Sequence, residues 1–199
     1  MSIWNERYAG EHYHFGTEPN AFLVSQRHLL KPGMSCLAVA DGEGRNGVWL
    51  AEQGLDVLSV DSSPVALEKA KRLAAERGAT LTFELADLLN WEWPENRYDV
   101  VAAIFIQFVG PELRAQMFEG LKRSLKPGGL LLLQGYTPRQ HEYRTGGPSQ
   151  VENLYTEVML REAFSDMEIL HLVEHDSMLN EGSGHCGTSA LIDLIARKL

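Results

Sequence analysis

Short apolar runs at 37–40, 55–60, 98–105 and 130–134 predict strands, and 98–105 is nearly continuous, as in a strand buried on both faces. Residues 80–85 alternate and predict a further strand. Between these runs the period lengthens. Residues 45–53 read as a helix closed by Gly54. Residues 64–77 read as a second, with Ser63 as N-cap, Pro64 in the first helical position and Gly78 as the stop. A third helix spans 111–125, and Lys126-Pro-Gly-Gly129 reads as the turn into strand 130–134. Ahead of these elements, 19–30 reads as an amphipathic helix stopped by Lys31-Pro-Gly33. Residues 1–17 are aromatic-rich and without pattern. Strands alternating with helices predict a parallel, doubly wound α/β sheet. The tail differs: a helix around 156–163 precedes strand-like stretches at 168–175 and 189–197. The glycine-rich segment 181–187 between those two stretches predicts an antiparallel hairpin at one edge.

Composition narrows the function classes. The 199 residues are expected to form one domain. Its parts would be an N-terminal helix and lid (1–33), a ligand-binding core (34–135), and a region of loops with the terminal hairpin (136–199). A net charge of −9 argues against an electrostatically driven nucleic-acid or anionic-membrane binder. Cys36 and Cys186 have no metal-ligand spacing and suggest no disulfide framework. The first residues lack the apolar core of a signal peptide, and no run approaches the roughly 18 apolar residues of a membrane span. A cytoplasmic location is the expectation.

The chemistry concentrates where the first strand gives way to Asp41-Gly-Glu-Gly-Arg-Asn-Gly47 and the second ends on Val60-Asp-Ser-Ser63. Gly42 and Gly44 allow a tight turn and a close backbone approach to a ligand. Asp61 sits where a carboxylate could accept from both hydroxyls of a ribose. This geometry binds an adenosine-bearing cofactor outside the carboxyl ends of the strands. It also fits the G-x-G-x-x-G dinucleotide pattern, with an acid about 20 residues on, so the loop alone leaves the cofactor open.

Five features in order carry a resemblance: the glycine loop, the acid at the tip of strand two, Asp87 after strand three, the buried strand four, and Lys126-Pro-Gly-Gly129 before strand five. With the closing hairpin, the chain resembles the class I S-adenosylmethionine-dependent methyltransferases over nearly its whole length. Trp4-Asn-Glu-Arg-Tyr8, Tyr13-His-Phe-Gly-Thr-Glu-Pro-Asn20, Tyr136-Thr-Pro-Arg-Gln140, Thr145-Gly-Gly-Pro148, Leu154-Tyr-Thr156 and Gly184-His185 narrow it to the small-molecule branch of tellurite-resistance and thiopurine methyltransferase-like proteins.

The resemblance implies a seven-stranded sheet, S-adenosylmethionine as cofactor and a small-molecule acceptor. It places Asp41, Gly42 and Gly44 around the methionine part of the cofactor, Asp61 on the ribose and Ser62 beside the adenine. Ala86, Asp87 and Leu88 would sit at the adenine edge, Ile104 and Phe105 would face the transferring methyl, and Trp4, Arg7 and Tyr8 would fold over as a lid. One departure stands out. Many members carry an acid on strand one where this chain has Ala38, and Asp41, three residues on, is the candidate substitute.

Each residue also has a plainer reading. The glycines suit a tight turn without a ligand, Asp61 a helix cap, Asp87 a surface turn, and Trp91 and Trp93 packing. His171 and His175 share one stretch, but no cysteine or acid pattern completes a metal site. His185, in the glycine-rich hairpin, is the candidate base, with Tyr143, Arg144 and Tyr155 as weaker substrate contacts and Gly146-Gly-Pro148 as a mobile loop. A thiolate or chalcogen oxyanion acceptor would need no base; an oxygen or nitrogen acceptor would call on His185. The rival readings are an NAD(P)-dependent oxidoreductase, for which no Tyr-x-x-x-Lys pair is present, and a non-catalytic S-adenosylmethionine-binding protein, suggested by Ala38.

Overall fold

The computed structural model describes residues 3–199. Seven strands form one sheet in the order β3-β2-β1-β4-β5-β7-β6, the mostly parallel α/β architecture with an antiparallel C-terminal pair that the alternation of runs predicts. The chain gathers into two compact units: residues up to Trp91 with Glu181–Gly184, and Glu92–Asn180 with His185–Leu199.

The first unit holds β1 (Ser35–Val39), β2 (Asp56–Asp61) and β3 (Thr82–Leu85), all parallel. Helices α3 (Arg45–Glu52) and α4 (Pro64–Arg77) join them. Helix α4 starts and stops as its sequence dictates: the Ser63 hydroxyl accepts from the Ala66 amide, Pro64 opens the first turn, and Gly78 closes it in the left-handed region. Val48 and Leu73 pack at the centre of a cluster flanked by Tyr13 and Phe83.

Two expectations fail in this unit. Residues 3–8, expected to be irregular, form α1 (Ile3–Tyr8). The helix expected over 19–30 is only α2 (Ala21–Ser25) followed by a 3₁₀ turn, Arg27–Leu29. Asn20 caps α2 by accepting from the Leu23 amide, and the Ser25 hydroxyl donates back to the Phe22 carbonyl at 2.7 Å, competing with the helical ladder.

The second unit holds β4 (Tyr98–Ile104), α5 (Pro111–Ser124), β5 (Leu125–Tyr136), α6 (Gln140–Tyr143), α7 (Glu157–Ala163), β6 (Met167–Glu181, its last residue in the first unit) and β7 (His185–Lys198). Val100, Val101, Ala102 and Ala103 are buried, as a strand covered on both faces requires. Lys126-Pro-Gly-Gly129, expected as a turn before the strand, lies inside β5. Tyr98 pairs with Leu125 and Val100 with Leu130, so five residues of β5 advance against two of β4. The insertion bulges rather than ends the strand, and the Lys126 ammonium meets Asp99 at 2.9 Å. β7 runs antiparallel to β5 from Leu191 to Arg197, and both hairpin strands are longer than their apolar patterns suggest.

Candidate functional site

In the first unit the chain leaves β1 through Ala40, at φ +47°, a conformation that favours glycine. Gly42 and Gly44 follow at φ +58° and +86°, and α3 begins at Arg45. A Cβ on Gly42 would stand 2.9 Å from the Tyr8 hydroxyl, and one on Gly44 would overlap Ala70. The loop therefore needs glycine both for its turn and for what packs against it. The Asp61 carboxylate holds it from below: one oxygen accepts from the Gly42 amide and the other from the Ser63 amide, both at 2.8 Å. Burial pushes this carboxyl above its ordinary value, and those amides pull the other way. Ser62, between these contacts, is exposed.

Asp41 faces the protein. Its carboxylate accepts from the Gly47 amide at 3.1 and 3.2 Å and from the Ser59 hydroxyl at 2.8 Å. Gly47 is the third residue of α3, so its N–H has no partner within the helix. Asp41 thus caps α3 and ties it to β2, while Ala38 is buried in β1. Burial raises the Asp41 carboxyl to about 7.

The expected lid residues form one helical face. Trp4 stacks on Tyr8 with ring centroids 5.9 Å apart, and the Arg7 guanidinium lies 4.7 Å from the Trp4 ring. Tyr8 is buried, and desolvation, then the nearby Asp61 charge, holds its hydroxyl neutral. The Ser63 hydroxyl donates to Asn5, fixing α1 at the start of α4. Tyr8, Asp41, Gly42, Gly44 and Asp61 therefore converge. Asp87 is exposed and accepts from the Leu89 amide and the Asn90 side chain, so it caps its own turn. The Ala86 amide donates to the Asp61 carbonyl, and Leu88 is buried.

The sequence pattern does not mark the residues between and after the loop glycines. Glu43, Arg45 and Asn46 are all buried. Glu43 pairs with Lys69 at 2.6 Å and accepts from the His14 and Phe15 amides. Arg45 meets Glu181 at 2.7 Å, and the Asn46 side chain accepts from the Asn20 amide. The available signal was polar side chains at the start of a helix otherwise buried through Leu50.

In the second unit β4 ends at Ile104, which is half-buried, and Phe105 follows at φ +56°. A non-glycine residue held there costs about 1–3 kcal/mol, and such strain clusters at functional sites. The partly buried Phe105 ring lies 4.8 Å from Tyr136 and 4.3 Å from the buried His185. Gln107 holds this end of the sheet, accepting from the Tyr136 amide and donating to the Tyr136 and Asn153 carbonyls. Tyr155 is buried and its hydroxyl is raised by desolvation, while Tyr143 donates to Asp176 on the surface. Arg144 follows α6 in the left-handed region. Gln140 and His141 anchor the Gly146-Gly-Pro148 loop through its carbonyls. His175 does not pair with His171, since its two ring nitrogens meet Ser177 and Asp193 at 2.9 and 3.0 Å. The Trp91 indole donates to Glu84, and Trp93 packs over Gly120.

Residues 36–129 match the methyltransferase domain family model. A 2-heptyl-1-hydroxyquinolin-4(1H)-one methyltransferase of Mycobacteroides abscessus is 33% identical over 89 residues, which is 44% of this chain and 39% of that protein. The chain spans about two fifths of the length of the curated relatives it matches. Among solved structures, a SAM-dependent methyltransferase of Methanosarcina mazei superposes with a TM-score of 0.74 at 18% identity, covering 91% of this chain and 99% of that one. TehB of Haemophilus influenzae also gives 0.74, at 21% identity over 90% of this chain and 62% of that one. The fold is that of the Rossmann-like S-adenosylmethionine methyltransferases.

Proposed function

We propose that the protein is an S-adenosylmethionine-dependent methyltransferase acting on a small molecule. The observation that carries this is the glycine loop, held open by Asp61 within the segment that matches the methyltransferase domain. The residues fit the cofactor. The Asp61 carboxylate accepts from the Gly42, Ser62 and Ser63 amides and keeps acceptor capacity for a ribose hydroxyl. Tyr8 lies over Gly42, so a cofactor at this turn would sit beneath the lid helix, with Ser62 exposed next to Asp61. Asp87, with Ala86 and Leu88, would accept from an exocyclic amine in exchange for its own turn contacts. Trp4, Arg7 and Tyr8 would cover the amino-acid end, and Asp41, through its grip on α3, would keep the loop in shape.

The cofactor supplies a methyl already activated on a sulfonium. What remains for the protein is to position the acceptor in line, which can contribute about 7–11 kcal/mol in favourable intramolecular cases. Ile104 and Phe105, assigned to the methyl, are apolar and take up no proton. This favours a soft acceptor, a thiolate or chalcogen oxyanion, which arrives ionised. An oxygen or nitrogen acceptor would pass its proton to His185. A screen of thiol, selenium, tellurium and phenolic compounds for release of S-adenosylhomocysteine tests the proposal. Turnover of a thiol or chalcogen compound is the expected result; no turnover of any acceptor would leave a binding protein in its place.

A further inference from the structure

The first unit contains a second structure built on the glycine loop. The backbone of residues 14–16 lies directly against the turn 182–184: the Gly184 amide donates to the His14 carbonyl at 3.1 Å, and a Cβ on Gly182 would overlap the backbone of 14–16. Two buried ionic nodes fasten this layer to the loop. At one, Glu43 accepts from the His14 and Phe15 amides and from Lys69, whose ammonium also donates to the His12 carbonyl. At the other, Arg45 donates to the Glu18 carbonyl and to Glu181, while Glu181 also accepts from the Asn20 side chain. Asn46 takes the Asn20 amide. Glu43 and Arg45 flank Gly44, the left-handed residue that sets the bend.

We infer that Glu43, Arg45 and Glu181 are positioning residues: they latch segment 12–20 and the hairpin turn onto the glycine loop and so hold it in its cofactor-binding shape. A charge kept this far from water is costly unless it is matched on both sides, so the geometry of each node is tightly specified. Turn and loop are then one closing element, and a change at residue 181, far from the loop in sequence, is felt at the cofactor. The effect on cofactor affinity rests on the methyl-transfer reading; the latch itself does not.

Arg45→Lys keeps the charge but replaces the fork that reaches Glu18 through one nitrogen and Glu181 through another with a single ammonium. Glu181→Gln keeps the shape and loses the charge, and is the milder variant should Arg45→Lys fold poorly. Amide exchange on the ligand-free full-length chain should rise at both 12–18 and 182–184 in either variant, with β5 unchanged. The dissociation constant for S-adenosylhomocysteine should rise about tenfold, the order of one lost charge-assisted hydrogen bond. In turnover, KM for S-adenosylmethionine should rise while kcat holds. Exchange that rises at only one of the two segments, or affinity equal to that of the parent, overturns the inference. A parent that does not bind S-adenosylhomocysteine defeats the methyl-transfer reading instead, and the exchange pattern still decides the latch.

Discussion

Replacing Gly47 by alanine sets helix propensity against packing. Gly47 is the third residue of α3 and has ordinary helical geometry, so alanine there should gain about 1 kcal/mol from propensity alone. The space above its Cα, however, holds the Asp41 carboxylate, which an added methyl would overlap, with the Ser59 Cβ 3.3 Å away on the far side. The carboxylate must move off and lose the Gly47 amide, and the added methyl still crowds Ser59 on β2, so both costs apply. Losing a hydrogen bond at a buried group costs about 1–3 kcal/mol, and crowding a packed site about 1–3 kcal/mol. After the propensity gain, the net loss should be about 3 kcal/mol. For a chain of this size that lowers Tm by about 6–12 °C. Urea unfolding and a thermal scan measure both, and Asp41→Ala in the same background should recover part of the loss by removing the clash. A Gly47→Ala protein as stable as the parent would refute the assignment of Asp41 as the group that caps α3.

Asp41 should also leave a mark on the pH dependence of stability. Its carboxyl is raised by burial from 3.8 to about 7, so the folded state holds the proton more tightly than the unfolded chain. The resulting stabilisation is complete below about 4 and fades as pH rises towards about 7. The stability difference, parent minus Asp41→Asn, should therefore fall across that window in urea titrations; a flat or rising difference would contradict the raised value. Lys69→Met leaves Glu43 buried without its cation and should cost about 3–5 kcal/mol by equilibrium unfolding. Adding Glu43→Gln should restore part of that, and a Lys69→Met protein of parental stability would show that the pair contributes little. His185→Ala should bind S-adenosylhomocysteine like the parent. For an oxygen or nitrogen acceptor its turnover should drop about 10²–10⁴-fold, while thiol turnover should be much less affected. An equal loss for both acceptor classes would argue against a proton-accepting role.

What was legible in the sequence was what local chemistry decides. Apolar runs located β1, β2 and β4, and Ser63-Pro64 marked the start of α4 by capping. Asp61 stood out as a carboxylate at a strand tip facing a glycine turn, and in the structure it accepts from the Gly42 and Ser63 amides. The misses depend on partners distant in sequence. Helix α1 has six residues and little intrinsic stability; it packs Tyr8 against Gly42, a contact that nothing in residues 1–17 announces. Lys126-Pro-Gly-Gly129 has turn composition but sits as a bulge within β5 because β4 is there to pair with. Glu43 and Arg45 look like solvated charges in a loop. They are buried because Lys69 and Glu181, 26 and 136 residues away, arrive to neutralise them.

The most direct test of the central claim is a calorimetric titration of the full chain with S-adenosylmethionine, S-adenosylhomocysteine and NADH. One-to-one binding of both adenosylated sulfur compounds, weakened by Asp61→Ala, with no heat from NADH, is the expected result. Binding of NADH, or no binding of either sulfur compound, would contradict it.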